Sequence, residues 1–320
     1  MKKNFPYLLL LCVLLIGCNN TSKTEETISK INIDFSFIKF HEEFFNANRQ
    51  ELRVLKNMYP YLFPSAIKED QWMSKIKESE EAILFEMVDS LYGNLEIEKE
   101  KLNSLYKHIK YYIPSFKAPK TFTLINDLDY EAPVIYADTL LFISIDMYLG
   151  KDADVYQSFP KYLSNNYTKE RIEVDVARKI IQKKFIYKRG RSFLESMIYY
   201  GKELYLIKTF LPNTPMNVIL GYEKEKYNWS LKNEAHIWKY FISEDLLFSS
   251  KSALNNRFIN TAPFSKFYLE SDSESPGKIG RWIGFKIVES YINNNKTPLD
   301  KMVSLDANTL FRKSKYKPNK

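Results

Sequence analysis

The residues that could do chemistry are few. The three histidines, His41, His108 and His236, never stand at i, i+4, and none lies beside a cysteine. The H-E-x-x-H pattern that puts two imidazoles on one helical face around zinc is therefore absent. Histidines this isolated read as polar residues on helix faces. Neither a G-x-S-x-G turn nor a P-loop occurs. Asp138, Asp146, Asp175 and Glu195 are the carboxylates nearest to ordered elements. Acid–base work would need two of them to converge, and spacing does not pair them. Each alone reads as a cap or a surface charge. No metal, no cofactor and no enzymatic activity are expected on this basis.

The elements that would position such residues are mostly helical. Residues 275–292, SPGKIGRWIGFKIVESYI, place Ile279, Ile283 and Ile287 every four residues, with Trp282, Val288, Tyr291 and Ile292 alongside. That spacing predicts a buried helix, with Ser275 as cap and Pro276 in its first turn. Gly280 and Gly284 leave one side of it bare, at roughly 1 kcal/mol each against alanine, so another backbone is expected to approach closely there. Arg281, between them, is its one strong charge and a candidate interaction residue.

Earlier in the chain, Ile31, Ile33, Phe35 and Phe37 alternate with polar residues, which predicts a half-buried strand. Helices are expected to end before Pro60, then over 66–91 and 96–112, with Phe44, Phe45, Leu52, Leu55, Met58, Ile83 and Leu91 turned inward. Short strands at 121–124 and a hairpin over 134–146, turning at Ala137-Asp138, form a small sheet. Helices return over 168–185, 191–211 and 223–241, and two short ones close the chain. The fold class is a helix-rich α+β domain with a small central antiparallel sheet, a single domain over 31–320 with a helical part over 31–115 and a sheet-plus-helix part over 116–320.

Hydrophobic content of 45% and charged content of 27% suit a folded chain, and 23 Tyr with 22 Phe promise an aromatic-rich core. The formal charge of +8 hints at a polyanion. Yet the basic residues interleave with Glu along helices, as in Lys75, Lys77, Glu78 and Glu80. That is the pattern of solvated faces, and it argues against nucleic acid.

The N-terminus carries an address. Met1-Lys-Lys is a positive n-region, residues 5–16 (FPYLLLLCVLLI) are an apolar run too short to span a bilayer, and Leu15-Ile-Gly-Cys18 follows. This resembles the bacterial lipobox, which implies a signal peptide over 1–17, cleavage before Cys18 and a lipid such as palmitate on its sulfur. Cys12 would leave with the leader, so the mature chain could form no disulfide and would keep no thiol nucleophile. Residues 18–30 are expected to be a lipidated, flexible tether. Surface-exposed lipoproteins of Bacteroidetes often share an acidic run after the cysteine. Here Glu25 and Glu26 come late, after Lys23, which favours a periplasm-facing protein.

Five stretches carry a family resemblance: IDMYLG at 145–150, MIYYGKELY at 197–205, RFINTAPFSKF at 257–267, SPGKIGRWIG at 275–284 and SKYKP at 314–318. In this order they resemble the gliding motility lipoprotein GldB family of Bacteroidetes. The resemblance implies a membrane-anchored component of gliding, a movement linked to type IX secretion, with other gliding-motility envelope proteins as partners and no assigned catalytic residue. Within or near these stretches Asp146, Tyr148, Glu195, Lys202 and Arg281 are candidate interaction or groove residues. A weaker similarity is to gluzincin-like zinc peptidases. The helix that would carry their H-E-x-x-H reads RIEVDVAR at 171–178, with Glu195 on the next helix, which implies a degenerate scaffold with a groove kept for binding. Alternatives are an envelope hydrolase working through carboxylates and a solute-binding lipoprotein.

Overall fold

The structure is a computed structural model that describes residues 23–185 and 189–318. The expected signal peptide and Cys18 lie outside the described residues. Four strands make the sheet: β1 (Phe37–Ile38), β2 (Lys120–Leu124), β3 (Val134–Ala137) and β4 (Leu140–Ser144), in the order β1-β2-β4-β3. β3 and β4 form the expected hairpin, with Asp138 at φ 56 in its turn. However, β1–β2 and β2–β4 pair in parallel, so the sheet is mixed and not antiparallel. The reason is connectivity: all the helices between β1 and β2 form a crossover long enough to bring the chain back in the same direction. The strand expected over 31–37 shrinks to its last residue and Ile38. Its alternation reflects side-chain packing instead, as Phe35 sits edge-on to Tyr106 with centroids 5.0 Å apart.

The crossover contains α2 (Phe40–Phe45), α3 (Arg49–Met58), α4 (Glu69–Glu78), α5 (Glu80–Tyr92) and α6 (Glu96–Tyr112), preceded by α1 (Lys23–Ser29). The helix expected over 66–91 is thus two. Ser79 adopts extended backbone and its side chain accepts from Ala82 N, capping α5. Met58, Ile83 and Leu91 prove exposed, while Phe44, Phe45, Leu52 and Leu55 are buried. Helix α1 also corrects the tether: Ile28 is buried and Glu25 reaches His108 Nε2 at 3.2 Å, so residues 23–29 pack on the domain.

The period of two along the strands divides the interior. Phe122 on β2 and Phe142 on β4 face a small aromatic core built from Phe40, Phe44, Phe63, Trp72 and Phe85. Leu141 and Ile143 face the larger core, to which α5 and α6 contribute together with the remaining helices. These are α7 (Lys161–Ser164), α8 (Ile172–Lys184), α9 (Phe193–Phe210), α10 (Met216–Leu220), α11 (Lys224–Lys232), α12 (Glu234–Ser243), α13 (Ala253–Phe258), α14 (Ile279–Asn295), α15 (Leu299–Ser304) and α16 (Ala307–Ser314). The helix expected over 223–241 is divided at Asn233.

Helix α14 runs through the larger core with Ile279, Ile283, Ile287 and Trp282 at 0–1% exposure. It packs backbone to backbone on α9: a Cβ on Gly284 would fall inside the carbonyl of Met197, and one on Gly201 would strike Gly284 itself. Its start differs from the expected cap. Ser275 Oγ instead accepts from Ser265 N, and the amide of Ile279 donates to Ser265 Oγ at 3.3 Å. A serine distant in sequence caps the helix, and Lys278 enters it at φ 61.

Candidate functional site

Arg171, at the N-cap of α8, and Asp175 and Arg178 within it are spaced by four and three, which stacks these three charges on one face. Arg171 Nη2 and Arg178 Nη1 each donate to Asp175 Oδ1 at 2.6 Å. Arg178 Nε crosses to Glu203 Oε1 on α9 at 3.2 Å, and Gln182 donates to the other oxygen of Glu203 at 3.0 Å. Tyr148, at the exit of β4, donates its hydroxyl to Asp175 Oδ2 at 3.3 Å. Burial raises that phenol well above its ordinary range. The result is a continuous, largely buried ion network between α8 and α9.

The short helix α10 fixes the other ends of these cations. It stops at Gly221, left-handed at φ 67, whose amide reaches back to Asn217 O and Val218 O, and its last carbonyls can still accept from outside the helix. Arg171 Nη1 donates to Val218 O at 2.5 Å, Arg178 Nη2 to Ile219 O at 3.3 Å, and Lys278 Nζ to Leu220 O at 3.1 Å. Three positive groups from two helices thereby converge on one helix end, where negative partial charge favours them. Arg281, one turn along α14 from Lys278, donates from Nε to Ile259 O at 2.7 Å, and its guanidinium lies 3.9 Å over the ring of Tyr200.

These groups wall two adjoining cavities of about 300 and 370 Å³ that share Asn166, Arg171, Thr261 and Lys278. The inner one is lined by Arg171, Arg178, Lys278 and Arg281 against Glu203. Burial, reinforced by Arg281, Arg171 and Arg178, holds the Lys278 ammonium well below the ordinary lysine range. Burial likewise lowers Arg281, although Tyr200 and Glu203 oppose it. Two buried polar atoms of the walls, Arg171 Nε and Tyr222 Oη, have no hydrogen-bond partner among the described residues. Chemically the cavity is a cation-rich, partly aromatic recess whose carboxylates are already bound to arginines.

The structure disperses most of the residues singled out from sequence. Arg281 lines the inner cavity, and Tyr148 touches its ion network. Glu195 closes a capping box with Ser192 at the start of α9, where these hydrogen bonds hold it below the ordinary carboxylate range. Lys202 donates to Val303 O and Leu305 O at 2.8 and 2.6 Å, tying down the end of α15, and burial lowers it to about 8. Asp146 receives the amides of Asn126 and Leu128 at 3.2 and 2.8 Å, pinning a loop in which Asp127 and Leu128 both have positive φ. Burial lifts its carboxyl to about 6. These three shape the scaffold and lie off the cavity walls. His41 and His108 are buried, contrary to the helix-face reading. His41 bonds Thr123 Oγ1 at 2.7 Å, and burial pushes it down to about 4.

Arg171, Arg178, Glu203 and Lys278 were not singled out. The available signal was the i, i+4 and i, i+3 row of opposite charges at 171, 175 and 178, and Glu203 stands inside the 197–205 stretch.

A family model described as gliding motility protein GldB matches residues 21–318. No curated protein and no solved structure matches the chain. The similarity to zinc peptidases finds no support: α8 carries no histidine, and among the described residues no three His, Cys, Asp or Glu side chains are grouped to hold a metal ion.

Proposed function

We infer a role from one premise: this chain belongs to the GldB family and is a gliding motility protein. On that premise it acts as a lipid-anchored envelope component that binds another envelope molecule without chemically changing it. Anchoring follows the lipobox reading of Cys18, and the binding face is the cation-lined recess between α8, α9, α10 and α14. The single observation that carries the binding reading is the convergence of Arg171, Arg178 and Lys278 on the end of α10, with Arg281 one turn away. Asp175 and Glu203 are each engaged by Arg178, which suits holding a ligand better than moving protons. A periplasm-facing position beside other gliding-motility proteins fits the late acidic residues after Cys18. No described helix is long and apolar enough to cross a membrane.

The test is replacement of the chromosomal copy. Cys18→Ser is expected to move the protein out of the membrane fraction, and Arg281→Gln to stop colony spreading at undiminished protein level. A Cys18→Ser protein that still sediments with membranes would sink the anchor. Normal spreading by Arg281→Gln cells would sink the binding face. Hydrolysis of envelope peptide or glycan by the purified protein would overturn the non-catalytic reading.

A further inference from the structure

We propose that the inner cavity is a binding site for a phosphate monoester, its phosphate held by Arg178, Lys278 and Arg281 and its organic body laid against the tyrosines beside them. The assignment rests on the binding reading above and names the chemistry of its ligand.

The argument begins with charge. Among the described residues, Arg171, Arg178, Lys278 and Arg281 have only Asp175 and Glu203 as acidic partners in the inner network, which there carries two more positive than negative groups. The mouth does not correct this: Lys151, Lys224 and Lys226 stand there against Glu223 and Glu225. Uncompensated charge in a desolvated recess is costly, and a protein keeps it where a counter-charge completes the site. A phosphate monoester brings a charge of about −1.5 to −2 at neutral pH, which matches the surplus of two; a single carboxylate would leave half of it.

Hydrogen-bond supply points the same way. Among the described residues Arg281 has one hydrogen bond, from Nε, so its Nη groups have donors to spare, and Lys278 Nζ uses one of its three. Arg171 Nε, on the same wall, adds a buried polar atom that no described residue satisfies. A wall with surplus donors calls for an acceptor-rich ligand, and a planar guanidinium fork beside an ammonium is the pairing that suits phosphate oxygens. Tyr200 fixes the Arg281 guanidinium by stacking at 3.9 Å, so the fork is held in place before any ligand arrives. The space exceeds a bare ion: about 300 Å³ is the lower end of small-molecule sites. Tyr130 and Tyr167 supply flat apolar faces on the same wall, which suit a sugar ring.

The experiment is isothermal titration calorimetry on the full chain in detergent, at fixed ionic strength, with α-D-glucose 1-phosphate, inorganic phosphate and acetate. Saturable binding of glucose 1-phosphate at least tenfold tighter than inorganic phosphate is expected, with no binding of acetate. Lys278→Met and Arg281→Gln should each weaken it at least tenfold, while Lys278→Met melts no lower than the parent, since it removes a desolvated charge. Equal affinity for inorganic phosphate and the ester would overturn the organic body. Acetate binding as tightly as phosphate, no saturable binding of either phosphate, or wild-type affinity in both variants would overturn the site. The two readings fail separately: loss of spreading by Arg281→Gln without phosphate binding removes the phosphate and keeps the binding face. Release of phosphate from the bound ester keeps the site and removes the non-catalytic reading.

Discussion

Helix α14 presents two unlike surfaces within two turns. At Gly280 and Gly284 it has no side chains, and the carbonyls of Phe258 and Met197 occupy the space a Cβ would need. At Lys278 and Arg281 it carries two cations into a recess that already holds Arg171 and Arg178. The first surface is dry and fixed by shape, where dispersion and close approach decide the energy. The second is fixed by charge, and its energy depends on which counter-charges are present. One rigid element thus serves as a ruler: the seam sets the position of α14 on α9, and that position sets how far Lys278 and Arg281 stand from α8. Shape decides the energy of the seam, and charge balance decides that of the recess, where the proposed binding lies.

The largest expected effect breaks the recess. Arg178→Met leaves Asp175 with one partner fewer and takes from Glu203 its ion pair, and should cost about 3–5 kcal/mol in urea unfolding. A loss below about 1 kcal/mol would mean that water, not arginine, balances these carboxylates.

The seam comes next. Gly284→Leu must push the backbones of α9 and α14 apart and should cost about 3 kcal/mol, the upper range of overpacking. Gly280→Leu should cost less, since two of its nearest neighbours, at 3.0 and 3.2 Å, are the side chains of Ile259 and Phe193, which can shift. The reverse order in thermal unfolding would contradict the account of α14 on α9.

Where the two surfaces meet, Tyr200→Leu removes the ring under Arg281 and should cost about 1 kcal/mol in unfolding by urea. An unchanged midpoint would mean that the Ile259 carbonyl alone holds the guanidinium.

The smallest effect has the opposite sign. Lys278 has a lowered folded-state pKa, so the unfolded chain binds its proton more readily than the folded one. Stability from this group is therefore lost as pH falls below the ordinary lysine range and regained as pH rises toward 10.5. Lys278→Met should melt higher than the parent at pH 7, by about 1 kcal/mol, and the gap should narrow toward pH 10. A gap that widens with pH would reverse the assignment of strain to the recess.

Much of this architecture was legible in the sequence because it is local. A period of four in Ile279, Ile283 and Ile287 is a property of neighbouring residues, and so are the Ala137-Asp138 turn and the bare face of Gly280 and Gly284. Helix ends were less legible. Ser79 and Asn233 break what periodicity joined, and Ser265 caps α14 from a distance that no window of sequence spans.

What the sequence alone determined was where the long helical stretches lie, most of the apolar faces that must be buried and the resemblance to the GldB family. The tertiary structure decided the rest. The parallel pairing of β1, β2 and β4 depends on where a long crossover returns. Whether a carboxylate on α9 meets α8 at Glu195 or two turns later at Glu203 depends on how the helices slide and rotate against each other. Gly201 and Gly284, where the backbones of α9 and α14 touch, fix where α14 stands, the Arg178–Glu203 pair joins α9 to α8, and the two together make the recess. Sequence names the charges, but only packing decides which of them share a low-dielectric space, and charge interactions depend on that space more than on spacing along the chain.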